Sequence, residues 1–531
     1  MRKKTLIKML ATCLSIGLFS VVMPNSGVGY CEPVEVTNIS QVYDLNFDPS
    51  IGVEKSLNCN GYAVRFIAYE NIVYVRNPKN VERQSLSIYI PVEYLNGGTI
   101  NGYTAKTAPI FMPNGVGGYM PGDILAPSEK SFGKDSPNAS LTALSRGLVV
   151  VSPAIRGRTT VTDNVYVGKA PALIVDYKAA VRYLRFNRNR LPAGDTEKII
   201  SNGTSAGGAL SAALGSMGNA PEFESYLEEI GAAPGRDDIF ASSDYCPITN
   251  LENADKAYEW IFYGENKYYP AMWQLQDLKA RGKFNNPDIK IDDAPLDADS
   301  ANNPVGVENA LDMTKAEIKI SKKLRDSFPI YVNSLNLRDE TGKVLTLDKK
   351  GNGTFKDYIK RKYIESAQSA LDSGTDLSSV DWLTIENGRV IDADLSKYPA
   401  SATRMKAAPA FDKIDLSSAE NDEFADVNNQ PRHFSKIIQQ NSGGEMADAE
   451  QIRMMNPLNF IGRSDVTIAK HFRIRHGAAD RDTSLAIPAI LALTLQNAGV
   501  DVDFFSPWGI GHSGDYDLDK LFSWIDDICK E

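Results

Sequence analysis

Short runs of β-branched and aromatic residues alternate with longer runs of helical spacing through the middle of the chain. Residues 148–152 and 198–202 have the pattern of buried strands, and residues 171–186 between them have the spacing of an amphipathic helix. Strands that alternate with helices in this way build a parallel sheet covered on both faces. The pattern therefore predicts an α/β fold.

Further runs of the same two kinds occur on both sides of this region. The last two predicted strands are separated by a predicted helix at 483–497, and a helix at 518–528 closes the series. The remaining predicted strands lie at 62–69, 72–76, 85–92, 108–112, 239–245, 471–476 and 500–505.

The alternation stops between residues 245 and 466, where a long polar stretch intervenes. This stretch is too long to be a loop, and it contains patterns for a hairpin at 343–354, a helix at 354–371 and a hairpin around Asn387-Gly388. We predict a sheet domain in two parts, residues 30–245 and 466–531, that carries an inserted lid domain at 246–465.

The N-terminus has the pattern of a signal peptide. Four basic residues precede an apolar run at 9–23, and small residues follow up to Gly29. The apolar run is shorter than the roughly 20 residues that a membrane span needs. We predict that residues 1–29 are removed near Gly29, that the protein is secreted, and that no stable membrane insertion remains.

Charge and cysteine content exclude some classes of function. The predicted signal peptide holds four basic and no acidic residues, so its removal changes the formal charge from −10 to −14. A chain this acidic is a poor nucleic-acid partner. The five cysteines form no closely spaced pair of the metal-binding kind, and too few are present to be the framework of a fold this large. We predict neither a metal nor a cofactor.

Gly203-Thr204-Ser205-Ala206-Gly207 is a GxSxG sequence between a predicted strand and a predicted helix. The glycines allow a sharp turn that lifts the serine hydroxyl above the edge of the sheet. This context predicts Ser205 as a nucleophile. A chance match to so short a motif is the alternative.

A nucleophilic serine of this kind needs an acid and a base. In this fold the chain order is the serine, then the acid, then the histidine that acts as the base. Of the four histidines, His433 lies in the insertion, and His471 and His476 precede the candidate acids. His512 lies in a glycine-rich loop after the last predicted strand and before the last helix, which is the place for the base.

Two aspartates follow the predicted strand at 471–476, and either can serve as the acid. Asp480 and Asp482 both follow this strand at the carboxyl end of the predicted sheet, where either can come near Ser205. A helix cap is the alternative role for Asp482, because a helical run starts at Thr483. A calcium loop is disfavoured, since the glycine and the final acid that it requires are missing.

Two backbone donors are required to stabilise an oxyanion. The N–H of Ala206 supplies one, and a glycine-rich loop after an earlier strand normally supplies the other. That loop is Pro113-Asn114-Gly115-Val116-Gly117-Gly118, and Gly117 or Gly118 is the candidate donor. The loop lacks the residues of a phosphate-binding loop.

With these motifs in this order, the chain resembles the bacterial tannases, α/β-hydrolases that cleave gallate esters and depsides. The resemblance extends from about Tyr62 to the C-terminus. It rests on the motifs above together with Lys406-Ala407-Ala408-Pro409-Ala410-Phe411-Asp412, Glu420-Asn421, His476 to Asp482, and Gly511-His512.

The resemblance implies an α/β-hydrolase fold, a catalytic triad of Ser205, Asp480 and His512, and contacts to galloyl hydroxyls from Lys406, Glu420 and Asp482. Without it, Lys406 and Glu420 would be read as solvated charges of the lid. The fungal tannases and feruloyl esterases carry cysteines at the positions of Thr204 and Ser513, so the chain departs from that group.

The predicted function is hydrolysis of gallate esters and depsides of tannins, which are small phenolic esters, by a secreted serine esterase. The resemblance implies a Ser-His-Asp acyl-enzyme mechanism with release of gallic acid. An esterase for feruloyl or chlorogenate esters is the nearest alternative. A non-catalytic binding protein is disfavoured because the nucleophile, the base and the acid are all present, and a peptidase is a further alternative.

Overall fold

Nine strands form the central sheet of the computed structural model, which describes residues 42–131, 135–280 and 310–530. The first three strands are antiparallel to their neighbours, and the other six are parallel to one another. In order across the sheet they are β1 (Val53–Cys59), β2 (Tyr62–Val73), β3 (Ser85–Pro91), β5 (Val149–Pro153), β4 (Pro109–Pro113), β8 (Asp195–Thr204), β9 (Ala241–Tyr245), β14 (His471–Arg475) and β15 (Asp501–Phe505).

Six shorter strands form three separate antiparallel pairs, and helices cover the sheet. The pairs are β6 (Val161–Thr162) with β7 (Val165–Tyr166), β10 (Lys267–Tyr268) with β11 (Leu311–Asp312), and β12 (Leu383–Glu386) with β13 (Arg389–Ala393). The helices are α1 (Val92–Leu95), α2 (Ala139–Ser145), α3 (Ala172–Phe186), α4 (Ala206–Ser216), α5 (Glu224–Glu229), α6 (Leu251–Phe262), α7 (Met272–Ala280), α8 (Lys315–Ser334), α9 (Thr354–Asp372), α10 (Tyr398–Ala402), α11 (Ala419–Glu423), α12 (Lys436–Ser442), α13 (Ala449–Met454), α14 (Ala486–Asn497) and α15 (Leu518–Lys530).

Inner strands of the parallel part of the sheet are buried on both faces, whereas the edge strand β15 is partly exposed. Every residue of β4, β5 and β9 is buried. The side chains of Ile110, Val150 and Ile200 are fully removed from solvent, and each such burial stabilises the fold by about 1.5–3 kcal/mol. This arrangement confirms the predicted α/β fold.

Small residues bring α4 unusually close to the sheet. A Cβ at Gly215 would lie 2.8 Å from the ring of Phe472 on β14 and 3.0 Å from Ser242 on β9. Nearly all of α4 is buried for the same reason. The helix that follows Ser205 is therefore held firmly against the strands.

The predicted insertion enters between two neighbouring strands of the sheet. β9 precedes it, β14 follows it, and these strands pair in parallel register from Ala241 with His471 to Tyr245 with Arg475. Apolar residues of the insertion, including Phe328 and Phe355, belong to the same hydrophobic core as the sheet. The division at 246–465 stays a prediction.

Three elements differ from the sequence-based predictions. β1 pairs with β2 although its sequence is largely polar, and β2 is one strand with a register shift between Tyr69 and Ile72 where two strands were predicted. The predicted hairpin at 343–354 is wrong. There the Asp348 side chain accepts hydrogen bonds from the backbone of Lys350 and Asn352 at 2.8 and 3.0 Å, so the segment turns without strand pairing.

The predicted signal peptide at 1–29 lies outside the described residues. In the three described segments, no helix is both long and apolar enough to cross a membrane. Cys59, Cys246 and Cys529 are buried free thiols.

Candidate active site

Ser205 occupies the turn between β8 and α4. Its backbone has φ 62° and ψ −122°, a conformation that residues other than glycine rarely adopt. The Ser205 N–H donates to the carbonyl of Tyr245, at the end of β9, at 2.9 Å. This bond holds the turn at the carboxyl edge of the sheet.

The glycines of the GxSxG sequence are required by close backbone approaches. A Cβ at Gly207 would lie 2.5 Å from the Val116 carbonyl oxygen and 2.6 Å from Asn114 Oδ1. A Cβ at Gly203 would lie 2.5 Å from Asn114 Nδ2. Only glycine fits at either position, so the turn and the loop after β4 pack directly against each other.

His512 lies beside Ser205, in the loop between β15 and α15. Its Nε2 is 2.8 Å from Ser205 Oγ, and its Nδ1 is 2.8 Å from Asp480 Oδ2. A continuous chain of hydrogen bonds thus runs from the Asp480 carboxylate through the His512 imidazole to the Ser205 hydroxyl. The structure brings the three residues of the predicted triad together from three different loops.

The Asp480 carboxylate is buried in the loop after β14. Its Oδ1 accepts hydrogen bonds from the backbone N–H groups of Asp482 and Thr483 at 2.8 and 3.2 Å. These bonds leave Oδ2 to orient the imidazole of His512. Of the two acids that the sequence left open, Asp480 is the one on the Nδ1 side of the ring.

Burial and charge act in opposite directions on the acid and the base. Burial favours the neutral form of Asp480, but the imidazoles of His512 and His476 and the backbone donors hold its pKa below the usual range. Burial also favours neutral His512, but the Asp480 carboxylate outweighs burial and raises the pKa of His512 above its ordinary value. The acid is therefore ionised and the base is strengthened.

The loop after β4 places the two candidate glycines near the serine turn. Asn114 ties this loop to the turn, since its Nδ2 donates to the carbonyls of Asn202 and Gly207, both at 3.1 Å. Among the described residues, the N–H groups of Gly117 and Gly118 donate no hydrogen bond. Ala206 is the first residue of α4, so its N–H has no acceptor within the helix.

Lys406, Glu420 and Asp482, hereafter the acyl trio, also lie together. Lys406 Nζ is 2.9 Å from Asp482 Oδ1, and Asp482 Oδ1 is 3.9 Å from His512 Nε2. The ammonium also lies 4.1 Å above the ring of Phe411. The acyl trio therefore adjoins the base of the triad.

The acyl trio is buried rather than solvated. Lys406 exposes 10% of its side chain, and Glu420 is buried on α11. Burial lowers the pKa of Lys406, but the carboxylates of Asp482 and Glu420 outweigh it and raise the pKa overall. Burial also raises the pKa of Glu420. Because Lys406 and Glu420 are buried, the alternative interpretation, that they are solvated charges on the surface of the lid, is disfavoured.

Cys246 is a neighbour of the base that sequence reasoning missed. Its Sγ lies 4.0 Å from His512 Nε2, and burial raises the pKa of the thiol, which is therefore neutral. It follows β9 directly, so its place at the carboxyl edge of a parallel strand was a usable signal.

Cys246, Asp480 and His512 are the one group in the described part of the chain whose side chains could hold a metal ion, with potential ligand atoms within 4.8 Å of one another. Both ring nitrogens of His512 already engage Asp480 and Ser205. The arrangement is suited to proton transfer.

Arg158 links the candidate oxyanion loop to α11 and was also missed. Its Nε donates to the Gly118 carbonyl at 2.9 Å, and its Nη1 lies 2.6 Å from Asp422 Oδ2. Lys169 Nζ binds the other oxygen of Asp422 at 2.9 Å. The loop and the helix that carries Glu420 are thus joined by ion pairs.

A cleft of about 1480 Å³ borders the His512 loop. Thr204, Arg481 and His512 contribute to its walls, and most of the other lining side chains are polar. The acyl trio does not line this cleft, so the trio and the cleft are distinct regions near the base.

Part of the chain matches a known family model. The model described as BD-FAE, an α/β-hydrolase-type family, matches residues 128–280, which include the serine turn. No curated protein matches the chain.

Several solved structures are similar to the chain over nearly all of its length. The tannase from Lactobacillus plantarum is 44% identical, with 92% of this chain and 100% of that chain covered and a TM-score of 0.83. The tannase from Fusobacterium nucleatum is 47% identical, with 92% and 100% covered and a TM-score of 0.82. A tannin acyl hydrolase in complex with ethyl gallate is 44% identical, with 91% and 99% covered and a TM-score of 0.81.

Proposed function

Because this chain belongs to the bacterial tannases and is a carboxylic ester hydrolase, we propose that it hydrolyses gallate esters and depsides through an acyl-enzyme on Ser205. The observation that carries the proposal is the continuous chain of hydrogen bonds from Asp480 through His512 to Ser205. The buried acyl trio lies beside these hydrogen bonds, and its charges support a substrate with several ring hydroxyls. A structural relative binds ethyl gallate.

In the acylation step, His512 Nε2 takes the proton of the Ser205 hydroxyl as Oγ bonds to the ester carbonyl carbon. The resulting oxyanion accepts hydrogen bonds from Ala206 N–H and from Gly117 or Gly118 N–H. Collapse breaks the bond to the alcohol oxygen, which takes the proton from His512. The alcohol leaves and galloyl-Ser205 remains.

In the deacylation step, water replaces the alcohol. His512 takes a proton from the water as its oxygen attacks the acyl carbon, and the proton is then returned to Ser205 Oγ as that bond breaks. Gallic acid leaves and the free serine is restored. Asp480 stays ionised throughout and stabilises the imidazolium that forms in each half of the reaction.

The acyl trio provides the specificity for the acid part of the ester. A trihydroxyphenyl ring presents three hydroxyls, and one ammonium with two carboxylates can donate to them and accept from them. Buried groups that are left unpaired reject an analogue lacking the hydroxyls, by up to about 10⁴ to 10⁵. A ferulate ring offers a single hydroxyl and a methoxy group, so it leaves part of the acyl trio unpaired.

The deciding experiment compares kcat/KM for methyl gallate, methyl ferulate and methyl benzoate, with Ser205→Ala as the blank. We expect strong preference for gallate. A preference for ferulate would favour the phenolic-ester alternative, and no turnover of any ester would contradict the esterase proposal.

We also propose that the protein is secreted after cleavage near Gly29. The support is the basic and apolar pattern of residues 1–29. Mass spectrometry of the protein recovered from the culture medium should give a mature N-terminus close to Gly29. Recovery only from cells, with the first residues retained, would contradict the proposal.

A further inference from the structure

Asp412, a buried residue of the insertion, is hydrogen-bonded on both carboxylate oxygens although it belongs to neither the triad nor the acyl trio. Its Oδ1 accepts from Asn421 Nδ2 at 2.8 Å and lies 2.6 Å from His433 Nδ1. Its Oδ2 accepts from the backbone of Phe434 and Ser435 at 3.1 and 2.8 Å. A buried carboxylate with this many donors fixes the segments that supply them.

The group Ser442, His433 and Asp412 repeats the residue types of a triad but does not form a second active site. Ser442 Oγ lies 3.1 Å from His433 Nε2, yet its hydroxyl is also bonded within α12, to the Ile438 carbonyl at 2.9 Å. The next backbone N–H, of Gly443, donates to a helix carbonyl and is unavailable to an oxyanion. A structural task fits this group better.

Asn421 connects Asp412 to the acyl trio, because it directly follows Glu420 in α11. Both N–H groups and both acceptor positions of its side-chain amide are occupied, so the amide cannot rotate without losing bonds. Its partners are Asp412 Oδ1 and the Arg432 carbonyl as acceptors, at 2.8 and 2.9 Å, and the Lys413 N–H and the Ser418 hydroxyl as donors, at 2.9 and 2.7 Å.

Asp412 is also connected to Lys406, through the neighbouring Phe411. The backbone N–H groups of Phe411 and Asp412 donate to the two oxygens of Asp255 on α6, at 2.8 and 3.0 Å. This anchors the ring on which the Lys406 ammonium rests at 4.1 Å. The same network thus fixes the supports of both Lys406 and Glu420.

We propose that Asp412, Asn421 and His433 are positioning residues that set the relation between the Lys406 ammonium and the Glu420 carboxylate. They act through the acyl trio and do not touch the substrate. The inference rests on the proposed function of the acyl trio. A displacement of about 1 Å in a substrate-binding group can cost about a hundredfold in rate, so loosening the network should weaken recognition of the ring.

The test uses two substitutions of His433 that differ in one hydrogen bond. In His433→Asn, the amide N–H can replace Nδ1–H as the donor to Asp412, whereas His433→Leu has similar bulk and no donor. For His433→Leu we expect kcat/KM for methyl gallate to fall about ten- to a hundredfold, mainly through KM, with little change for a short activated acetate. His433→Asn should stay close to wild type for both esters.

Asn421→Asp is a second, independent test of the network. It keeps the shape of the side chain but places a carboxylate oxygen against the Asp412 carboxylate. It should lower the ratio of gallate to acetate activity as His433→Leu does. Asn187→Asp is the matched control. Asn187 is equally buried and its Nδ2 bonds to the carbonyls of Leu45 and Tyr183, away from the acyl trio.

Each outcome decides the matter. An unchanged ratio in folded His433→Leu and Asn421→Asp would overturn the proposal, as would equal losses on acetate and gallate, which indicate a purely structural role. If one variant fails to fold, the other decides, and if neither folds, the network only maintains the fold and the proposal is wrong. A wild-type enzyme without preference for gallate would instead contradict the proposed function.

Discussion

The backbone N–H of Asp482 donates to the carboxylate of Asp480 at 2.8 Å. The two acids are separated by one residue and are held in a single turn, but their carboxylates contact different neighbours. Asp480 lies on the Nδ1 side of His512, while the Asp482 carboxylate pairs with Lys406 and lies 3.9 Å from His512 Nε2. Asp482 therefore contacts a member of the proposed ring-binding group and lies close to the base of the triad.

Replacement of Asp482 should differ from replacement of the other members of the acyl trio. The Asp482 carboxylate contributes to raising the pKa of His512. In Asp482→Ala, the acid limb of the pH–rate profile for a short activated acetate should therefore move to lower pH, and activity toward gallate should fall. Lys406→Met, measured in parallel, should keep the limb in place. An unmoved limb in both variants would show that Asp482 does not act on the base.

Ser205→Ala should abolish turnover of both methyl gallate and an activated acetate, because no acyl-enzyme can form. The fold should survive, since removal of one hydroxyl creates no large cavity. Steady-state kinetics with a gallate-binding titration measure both effects. Activity within about tenfold of wild type would remove Ser205 from the mechanism.

The pH dependence should report the base. His512 must be neutral to accept the serine proton, so activity is lost as the pH falls through its pKa. Because Asp480 raises that pKa, the midpoint of the acid limb in kcat/KM should lie above the ordinary value of about 6.5. Asp480→Asn should move the midpoint to lower pH and reduce kcat by about 10⁴-fold. A profile that is flat across this range, with chemistry limiting the rate, would argue against a histidine base.

Substitution of Lys406 or Glu420 should change the preference among esters and leave the rate of the triad's reaction with a small ester unchanged. Lys406→Ala and Glu420→Ala should each cost about 1–3 kcal/mol on kcat/KM for methyl gallate, roughly ten- to a hundredfold, the loss of a hydrogen bond to a charged group. A short activated acetate does not reach these groups and should react normally. Proportional losses on both esters would mean that the residues support the fold.

The stability of the insertion should depend on the buried pair of Arg404 and Glu259. Both side chains are fully buried, and Arg404 also donates through Nε to the Lys406 carbonyl at 2.6 Å. Glu259→Gln should lower the free energy of unfolding by about 3–5 kcal/mol, because it leaves a buried guanidinium unpaired. The double variant Arg404→Met/Glu259→Gln should lose less free energy of unfolding than Glu259→Gln alone, as measured by urea titration. A double variant less stable than the single one would contradict this reasoning.

The serine turn was predictable because its determinants are local. A strand, two glycines at fixed spacing and a helix of small residues are contiguous in sequence, and the structure has all of them at Ser205. The loop of His512 was predictable from chain order, since it lies between the last strand and the last helix.

The choice between Asp480 and Asp482 could not be made from spacing alone. Both lie in one turn, and the direction of each carboxylate depends on which neighbour it meets. The side of the imidazole that each acid faces is a three-dimensional property. The family resemblance favoured Asp480, which lies on the Nδ1 side of His512.

Contacts between distant segments left no pattern in the sequence. Arg158 meets Asp422 across more than 250 residues, and nothing in the periodicity around either one indicates the other. The hairpin predicted at 343–354 failed for a related reason. Its turn residues are present, but the side chain of Asp348 bonds locally to the backbone in place of a strand partner.

The entry of the long insertion between β9 and β14 bears on how this enzyme can diversify. Because these strands are parallel, the connection leaves the sheet at its carboxyl edge, after Tyr245, and returns to it at the opposite edge, before His471. Lys406 and Glu420 lie on this connection, whereas Ser205, Asp482 and His512 lie in loops that follow strands of the sheet. The acyl trio is thus assembled from this connection and from the sheet together, and we expect a change of acyl preference to require residues of the connection that still match Asp482.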